Sequence, residues 1–250
     1  MKRWGLIAFL LGWTHTVLAA DVPAVLYWSQ RVELSPPVSG IVQTVNVEAG
    51  QQVKKGQVLL SLDNSVFQAR LAESRAVINR YREEAADAKR ELERAQELYN
   101  RSVLATTELD QAKLRQSRAK SQLSEAEARF KQNSKHLDDT FLRAPFDALV
   151  VSRLVEPGQA VASGLQPQPL LVLAKSGEML ARAKLSIEQI EKLKIGQMVT
   201  VEAVQHSYSG RIKTLGLEPL AKDASLYSVD VVFPTKNPLR AGLPGVLKLP

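Results

Sequence analysis

Few side chains in this sequence have the chemistry that catalysis or metal binding requires. Beyond residue 20 the only histidines are His136 and His206, and no cysteine occurs in the 250 residues. Active sites and metal centres use histidine, cysteine and carboxylate side chains at recognisable spacings, which neither histidine has here, and no glycine-rich phosphate loop occurs. The adjacent carboxylates Asp138 and Asp139 follow a long helical pattern and are typical of a helix end. The sequence therefore predicts no catalytic, cofactor-binding or metal site, and no enzyme.

The charge of the chain argues against a nucleic-acid partner. The net charge of +7 includes Lys2 and Arg3, so it falls to +5 if these two residues are removed with an N-terminal signal. So small an excess, with both signs mixed along the chain, does not indicate nucleic-acid binding. Because cysteine is absent, disulfides are excluded and stability must come from packed cores.

The first 20 residues are typical of a cleaved export signal. Lys2 and Arg3 precede an apolar core at residues 6–11, and residues 17–19 supply a cleavage site with small side chains. The apolar stretch is shorter than the roughly 20 residues that span a membrane, although an uncleaved N-terminal anchor remains the alternative. No cysteine follows the cleavage site, so we expect an exported protein without a lipid anchor.

One short pattern occurs twice, in residues 36–53 and 144–161, with a long helical stretch between the copies. A short sheet cannot bury its own apolar face, so the two copies are expected to complete one β-module. The intervening stretch must then leave the module and return to nearly the same point. At a constant offset of 108 residues, the identical pairs are Pro37/Pro145, Val42/Val150, Val47/Val155, Glu48/Glu156, Gly50/Gly158, Gln51/Gln159 and Val53/Val161.

Glycines interrupt the β-prone alternation where turns are needed. Gly40, Gly50 and Gly56 break the strands predicted within residues 24–62, and Gly158 is the counterpart of Gly50 in the second copy. Gly196 follows a predicted short helix. We predict all five as structural turn glycines.

The stretch between the copies has a heptad pattern in two successive segments. Apolar and small residues recur in alternating steps of four and three, which predicts two antiparallel helices of a coiled-coil hairpin, each arm roughly 50 Å long. Residues 101–105 form the link, and Thr106 or Thr107 is predicted to cap the second helix. The first seam is Phe67, Leu71, Ser74, Ile78, Tyr81, Ala85, Ala88, Leu92, Ala95 and Tyr99. The second is Leu109, Ala112, Gln116, Ala119, Leu123, Ala126, Phe130, Asn133 and Leu137.

The C-terminal third predicts a small β-barrel. It contains five strand-like segments, with one short helix, residues 187–194, between the first two. Ser186 is the predicted N-cap of this helix and Gly196 its stop. Residues 24–34 are expected to supply a sixth strand. The five segments are residues 179–185, 198–204, 211–217, 226–233 and 246–249.

These residues, in this order, resemble the periplasmic adaptor (membrane fusion protein) family of tripartite pumps in Gram-negative bacteria. The resemblance implies an elongated, multi-domain chain of mixed α and β class. It has a split lipoyl-like β-module, an inserted coiled-coil α-hairpin and a following β-barrel. No separate membrane-proximal domain is expected. The predicted boundaries are residues 1–20 for the signal, 36–63 plus 140–174 for the lipoyl-like domain, 64–139 for the hairpin, and 24–35 plus 175–250 for the barrel.

The resemblance also implies a docking site at the hairpin tip. In the family, an Arg, a Leu four residues on and a Ser seven residues further dock onto an outer-membrane duct. Arg94 and Leu98 match this spacing, and the third position is Ala105, which lacks the hydroxyl. Thr106 beside it is a possible substitute donor. Leu98 lies one residue before the seam, so it is expected to face outward.

The function that the resemblance implies is a non-catalytic adaptor without a cofactor. It is expected in the periplasm, peripheral to the inner membrane, and assembled as a ring that is commonly hexameric. It links an inner-membrane transporter to an outer-membrane efflux duct. A resistance-nodulation-division (RND) antiporter is the first choice of transporter. An ABC exporter, as in type I secretion, is the alternative.

A carrier of lipoyl or biotinyl groups is the alternative from another class. Such modules present a modified lysine at a tight hairpin between two half-motifs. The junction here is Asp63-Asn64, and residues 65–69 contain no lysine. The sequence therefore disfavours the carrier reading.

Overall fold

The computed structural model describes residues 20–164, 168–220 and 223–249. Residues 1–19 of the predicted export signal lie outside this part of the chain. The chain divides into two compact units. The sandwich unit is Arg31–Ala174, and the barrel unit combines the described residues up to Gln30 with those from Lys175 onward.

Fourteen strands and three helices make up the described chain. In chain order they are β1 (Ala20–Trp28), β2 (Arg31–Leu34), β3 (Gly40–Val45), β4 (Gln52–Val53), β5 (Val58–Leu62), α1 (Ser65–Asn100), α2 (Thr106–Asp138), β6 (Phe141–Arg143), β7 (Ala148–Arg153), β8 (Ala160–Val161), β9 (Leu171–Lys175), β10 (Glu178–Ser186), α3 (Ile187–Ile190), β11 (Met198–Ala203), β12 (His206–Leu220), β13 (Asp223–Pro234) and β14 (Pro244–Leu249). No helix among them combines the length and the apolarity of a membrane span.

Both copies of the sequence repeat contribute to the core of the sandwich unit. Its two sheets have the strand orders β2-β9-β7-β4 and β6-β5-β3-β8. The repeat-related residues Val42 and Val150 are both buried in this core. One apolar core therefore serves both copies. Its most buried members also include Leu59, Leu60, Leu62, Ala148, Leu171 and Leu173.

The two copies are joined by the same backbone contact made twice. The N–H of Gly50 donates to the carbonyl of Val150, and the N–H of Gly158 donates to the carbonyl of Val42, both at 2.8 Å. The N–H of each valine returns a hydrogen bond of 2.9 Å to the glutamine that follows the opposing glycine. The copies thus exchange roles across one junction, as the constant offset in the sequence predicts.

A single type of turn occurs four times, always with Gly-Gln at its end. The glycines Gly50, Gly56, Gly158 and Gly196 have φ between +81° and +89°, where side chains are disfavoured. In each turn the glutamine N–H donates to the carbonyl three residues earlier, at 3.0–3.2 Å. The glutamine side-chain oxygen accepts the N–H of that same earlier residue at 3.0–3.3 Å. This combination closes each turn with two reciprocal bonds.

Gly40 does not lie in a turn, which corrects the prediction made for it. It is the first residue of β3 and pairs with Val161 of β8. Its φ lies outside the left-handed region, and a Cβ added there would lie 3.4 Å from the side chain of Leu62. Close packing against the sandwich core, rather than turn geometry, explains a glycine at this position.

The helices α1 and α2 pack along the faces that the heptad pattern indicates. Every predicted seam residue of α2 is buried or half-buried, and on α1 only Tyr99, the last one, is exposed. Ala112, Ala119 and Ala126 are buried along α2, where their small side chains allow the partner helix to approach closely. The bases of the helices meet where the N–H of Leu62 donates to the carbonyl of Thr140 at 2.9 Å.

Contacts between the helices show that they run in opposite directions. Near their base, the amide of Asn133 donates to the carbonyl of Arg70 at 3.4 Å. Further along, Arg115 forms an ion pair with Glu91. Residues early in α1 therefore meet residues late in α2, and the link between them lies at the far end of the pair.

The barrel unit is a closed six-stranded barrel, which confirms the predicted β-barrel. The strand order is β1-β10-β13-β12-β11-β14, and β1 closes it by pairing with both β14 and β10. All the pairings are antiparallel. The large side chains buried in its core include Leu26, Met179, Leu185, Val201, Ile212, Phe233 and Leu247.

Two details of the barrel prediction need correction. Residues 24–35 were predicted to belong together in the barrel, but β2 pairs with β9 in the sandwich unit, because the chain changes sheets at Ser29-Gln30. The helix predicted over residues 187–194 is only α3, a single turn. Its start is as predicted, since the N–H of Ser186 donates to the Gln189 side-chain oxygen at 3.1 Å.

Arg153 connects the two copies of the repeat through their equivalent glutamates. Its guanidinium donates to Glu156 at 2.7 Å and to Glu48 at 3.2 Å. It also donates to the carbonyl of Val155 at 2.9 Å. The hydrogen bond from Arg153 lowers the pKa of the Glu156 carboxyl below its usual value.

The left-handed glycines predict a clear difference between two alanine substitutions. Gly158→Ala should destabilise the protein by about 1–2 kcal/mol, because alanine disfavours the left-handed region. An added Cβ meets nothing within 4 Å at Gly158, so the cost is conformational. Gly164→Ala is the matched control, since Gly164 also has open space but no left-handed φ. Urea denaturation checks this, and equal midpoints for both variants would contradict it.

The ion pair of Arg153 predicts a pH dependence. Because folding lowers the pKa of Glu156, its contribution to stability is present above the unfolded pKa and is lost as the pH falls through the folded pKa. Side-chain NMR titration should give Glu156 a midpoint below that of an ordinary glutamate. In Arg153→Gln the midpoint should return towards the ordinary value, and an unchanged midpoint in this variant would rule out Arg153 as the cause.

Candidate docking site at the tip of the helix pair

The first helix ends in a hydrogen-bonded turn with the pattern of a Schellman motif. The N–H of Ser102 donates to the carbonyl of Tyr99 at 2.9 Å, and the N–H of Val103 donates to the carbonyl of Leu98 at 3.0 Å. Ser102 has a φ of +60°, the left-handed conformation that the motif requires. Two of the last carbonyls of α1 are satisfied in this way, so the tip has a defined backbone.

The same motif explains why apolar side chains gather at the tip. Residues in the positions of Leu98 and Val103 commonly make a hydrophobic contact in such motifs. Both nevertheless stay accessible, with Leu98 41% and Val103 72% exposed. Tyr99 between them is also exposed. We call Leu98, Tyr99 and Val103 the apolar tip.

The second helix starts one or two residues earlier than the sequence indicated. Ala105 is its N-cap, so the caps predicted at Thr106 or Thr107 are corrected; both threonines lie within the first turn and are exposed. The side chain of Ala105 has no acceptor, and the cap is made in one direction only, by its N–H donating to Glu108 at 3.4 Å. Leu109, which is buried, anchors the first turn against α1.

The three predicted docking residues lie at or near this tip. Arg94 and Leu98 are one helical turn apart on α1, and Ala105 lies across the link at the start of α2. Arg94 is exposed and forms no ion pair within the described residues, whereas its neighbours Arg90 and Arg101 are paired with carboxylates. The arrangement therefore offers one unpaired cation beside exposed apolar side chains.

Two residues of the apolar tip were missed by the sequence reasoning. Tyr99 was assigned to the buried seam, but the seam ends before it and the ring remains accessible. Val103 was treated as part of the link. Its position five residues after Leu98 is the spacing that a Schellman motif uses, and this signal was available in the sequence.

Surface charges around the tip contribute little to holding it together. Arg101 pairs with Glu97 at 2.6 Å and Lys113 with Asp110 at 3.0 Å, all exposed to solvent. Pairs of this kind typically contribute about 0–1 kcal/mol and are screened by salt. The fixed geometry of the tip rests instead on the backbone turn.

The residues considered first for chemistry do not form a site. His136 and His206 are both exposed and belong to different units. Asp138 and Asp139 pair with Arg143 and Lys135 at the end of α2. In the part of the chain that the structure describes, no three histidine or carboxylate side chains are grouped to hold a metal ion.

The junction where a carrier module presents its lysine has a different role here. The carboxylate of Asp63 accepts the backbone N–H of Ser65 at 3.0 Å, at the start of α1. This hydrogen bond lowers the pKa of Asp63. The junction is therefore the start of a helix.

Comparisons with known proteins identify a family and relatives that this chain resembles. The family model described as the CzcB-like barrel-sandwich hybrid domain matches residues 30–166, more than half of the chain. The chain is 30% identical over 229 residues to the macrolide export protein MacA of Yersinia pestis. That alignment covers 84% of this chain and 61% of the relative, so the chain spans less than two thirds of that protein.

Solved structures share the fold at low sequence identity. The membrane fusion protein Spr0693 of Streptococcus pneumoniae R6 has a TM-score of 0.71 at 14% identity, covering 93% of this chain and 99% of the other. A MacA-MexA chimera with the α-hairpin domain of Pseudomonas aeruginosa MexA has a TM-score of 0.64 at 22% identity, covering 92% and 81%. At these identities the likeness concerns the fold alone.

The left-handed serine predicts that the tip can be made more rigid by one substitution. Ser102→Gly should stabilise the turn by about 1 kcal/mol, because glycine adopts this φ without steric cost. Amide hydrogen exchange of Val103, whose N–H bonds to Leu98, should slow about fivefold. The control Ser102→Ala keeps the steric conflict and should not slow exchange. Equal protection in the two variants would contradict this account of the turn.

Proposed function

The chain belongs to the membrane fusion proteins with a CzcB-like barrel-sandwich hybrid domain, and from this premise we propose that it is a periplasmic adaptor of an efflux pump. This family consists of adaptors, not enzymes. The proposed adaptor joins an inner-membrane transporter to an outer-membrane duct. The single observation that carries the proposal is the apolar tip, exposed at the end of a long helix pair.

The position of the helix pair supports a spacer role. Within the sandwich unit, the helix pair is inserted between β5 and β6, which pair with one another through Leu60 and Leu142. The base of the pair is therefore fixed within a packed core. We propose that α1 and α2 form an antiparallel coiled coil, as the burial of their heptad seams supports.

The tip supplies the contacts for the outer-membrane duct. Leu98 and Val103 present apolar area, and Arg94 one helical turn away adds an unpaired cation within the described residues. Ala105 cannot donate a hydrogen bond from its side chain. The exposed hydroxyl of Thr106 beside it takes that role in the proposed contact.

The remaining partners follow from the same proposal. Copies of the chain assemble as a ring, with six subunits as the expected number. The predicted export signal supports a location in the periplasm, peripheral to the inner membrane. The transporter is an RND antiporter by first choice and an ABC exporter by second. The likeness to a protein named for macrolide export makes macrolides the first cargo to test.

A charged residue in the apolar tip should weaken binding of the outer-membrane duct without weakening binding of the inner-membrane transporter. In Leu98→Glu, a carboxylate replaces apolar contact area, so binding of an outer-membrane duct should fall at least tenfold while binding of the inner-membrane transporter persists. The matched control is Leu114→Glu, since Leu114 on α2 is 51% exposed and is not part of the tip. Affinity purification from cross-linked cells, followed by quantitative mass spectrometry, measures both partners and identifies the transporter class.

Each outcome of that purification is informative. Loss of the duct in Leu98→Glu alone supports tip docking. Equal recovery of the duct with both variants would remove the tip from the interface. Recovery of neither a transporter nor a duct with the unmodified protein would contradict the adaptor function itself.

A further inference from the structure

The barrel unit contains a cavity that the adaptor function does not use. Its volume is about 690 Å³, within the range of pockets that hold small organic molecules. One wall is formed by Val204, His206 and Tyr208, around the turn between β11 and β12. The other wall includes Lys236 and Leu239, which follow β13.

The turn at the rim of this cavity is strained. Ala203 pairs with His206, so Val204 and Gln205 form a two-residue hairpin loop. Their φ values are +49° and +60°, a conformation for which Asn-Gly is the preferred sequence. A β-branched residue such as valine is a clear outlier there. Strain of this kind is concentrated at ligand-binding and catalytic sites, so it is a reason to look for a ligand.

Neighbouring groups hold the strained wall in place. The carbonyl of Val204 lies 2.8 Å from Nδ1 of His206, which orients the imidazole beside the cavity. The Tyr208 ring packs on Phe233 of the barrel core, with ring centroids 5.0 Å apart. The Val204 side chain remains 51% exposed. The result is a pre-formed apolar and aromatic surface.

A cation lines the cavity on a fixed loop. The N–H of Thr235 donates to the carbonyl of Gly177 at 3.0 Å, and its hydroxyl donates to the carbonyl of Asn237 at 2.5 Å. Lys236 between these anchors is exposed and has no ion-pair partner in the part of the chain that the structure describes. No carboxylate lines the cavity within the same residues. The site therefore combines apolar walls with unneutralised positive charge.

We propose that this cavity binds a small amphipathic organic acid. Its apolar or aromatic body packs against Val204, Tyr208 and Leu239, and its anionic group pairs with Lys236. The cavity combines apolar area with a positive charge, so it selects a molecule that has both an apolar body and an anionic group. An anion gains an ion pair with Lys236 that a neutral molecule cannot form, and a cation is repelled by it.

Naphthoate is a suitable probe, with naphthylmethanol and naphthylmethylammonium as neutral and cationic analogues. Isothermal titration of the full chain should show naphthoate binding about threefold to fivefold more tightly than the alcohol, and more tightly still than the ammonium analogue. Lys236→Gln should weaken naphthoate binding about threefold to fivefold and remove its advantage over the alcohol. The control Lys192→Gln makes the same charge change at an exposed lysine outside the cavity and should leave binding unchanged.

A variant of the turn tests the strained wall separately. Replacing Val204 by Asn together with Gln205 by Gly relieves the strain, so the melting temperature should rise. Naphthoate binding should nevertheless weaken, because the Val204 contact is lost. A higher melting temperature together with weaker naphthoate binding would show that the turn contacts the ligand. A turn with a purely structural role would not give this combination.

Three results would overturn the proposal. One is the absence of binding to both naphthoate and phosphatidylglycerol vesicles. Another is equal binding in Lys236→Gln and Lys192→Gln. The third is binding of phosphatidylglycerol vesicles without binding of naphthoate, which would make the source of the anion a lipid surface.

Discussion

The reciprocal backbone contact between the two copies of the repeat is the constraint on which the sandwich unit depends. Gly50 bonds to Val150 and Gly158 bonds to Val42, so each copy supplies the partner that the other lacks. Both glycines lie in left-handed turns, and a glutamine side chain closes each turn by a hydrogen bond. Once the copies are locked together, β5 and β6 lie side by side, and anything inserted between them must leave and return at one place. The helix pair follows from this closure.

At the tip of the helix pair the backbone is fixed, while the apolar side chains remain exposed. Its backbone is fixed by hydrogen bonds from Ser102 and Val103 to α1, which leave the side chains of Leu98 and Val103 free to contact a partner. Surface ion pairs along the helices contribute little energy and are screened by salt. The proposed interface at this tip therefore depends mainly on the exposed apolar area of Leu98, Tyr99 and Val103. The absence of a hydroxyl at Ala105 fits this reliance on Leu98 and its neighbours.

Repetition and periodicity made most of the fold predictable. The offset between Val42 and Val150 predicted one shared core, and the heptads predicted both helices. Features that depend on tertiary pairing could not be predicted. Gly40 packs against Leu62, which no local pattern indicates. Strand propensity also does not show which sheet a strand joins, so β2 could not be assigned to the sandwich sheet. At the tip, Leu98 and its five-residue spacing to Val103 could be read from the sequence, whereas the exposure of Tyr99 depends on where the packing of the two helices ends. The strained turn at Val204 opposes local preference, so propensity could not indicate it.

The most direct test of the adaptor account is to place a photo-cross-linking amino acid at Leu98 in living cells, and at Leu114 in a parallel strain. Mass spectrometry then identifies what each position captures. The account predicts that Leu98 captures an outer-membrane duct and that Leu114 does not. Capture at Leu98 of other copies of this chain alone, or of nothing, would contradict docking through the tip.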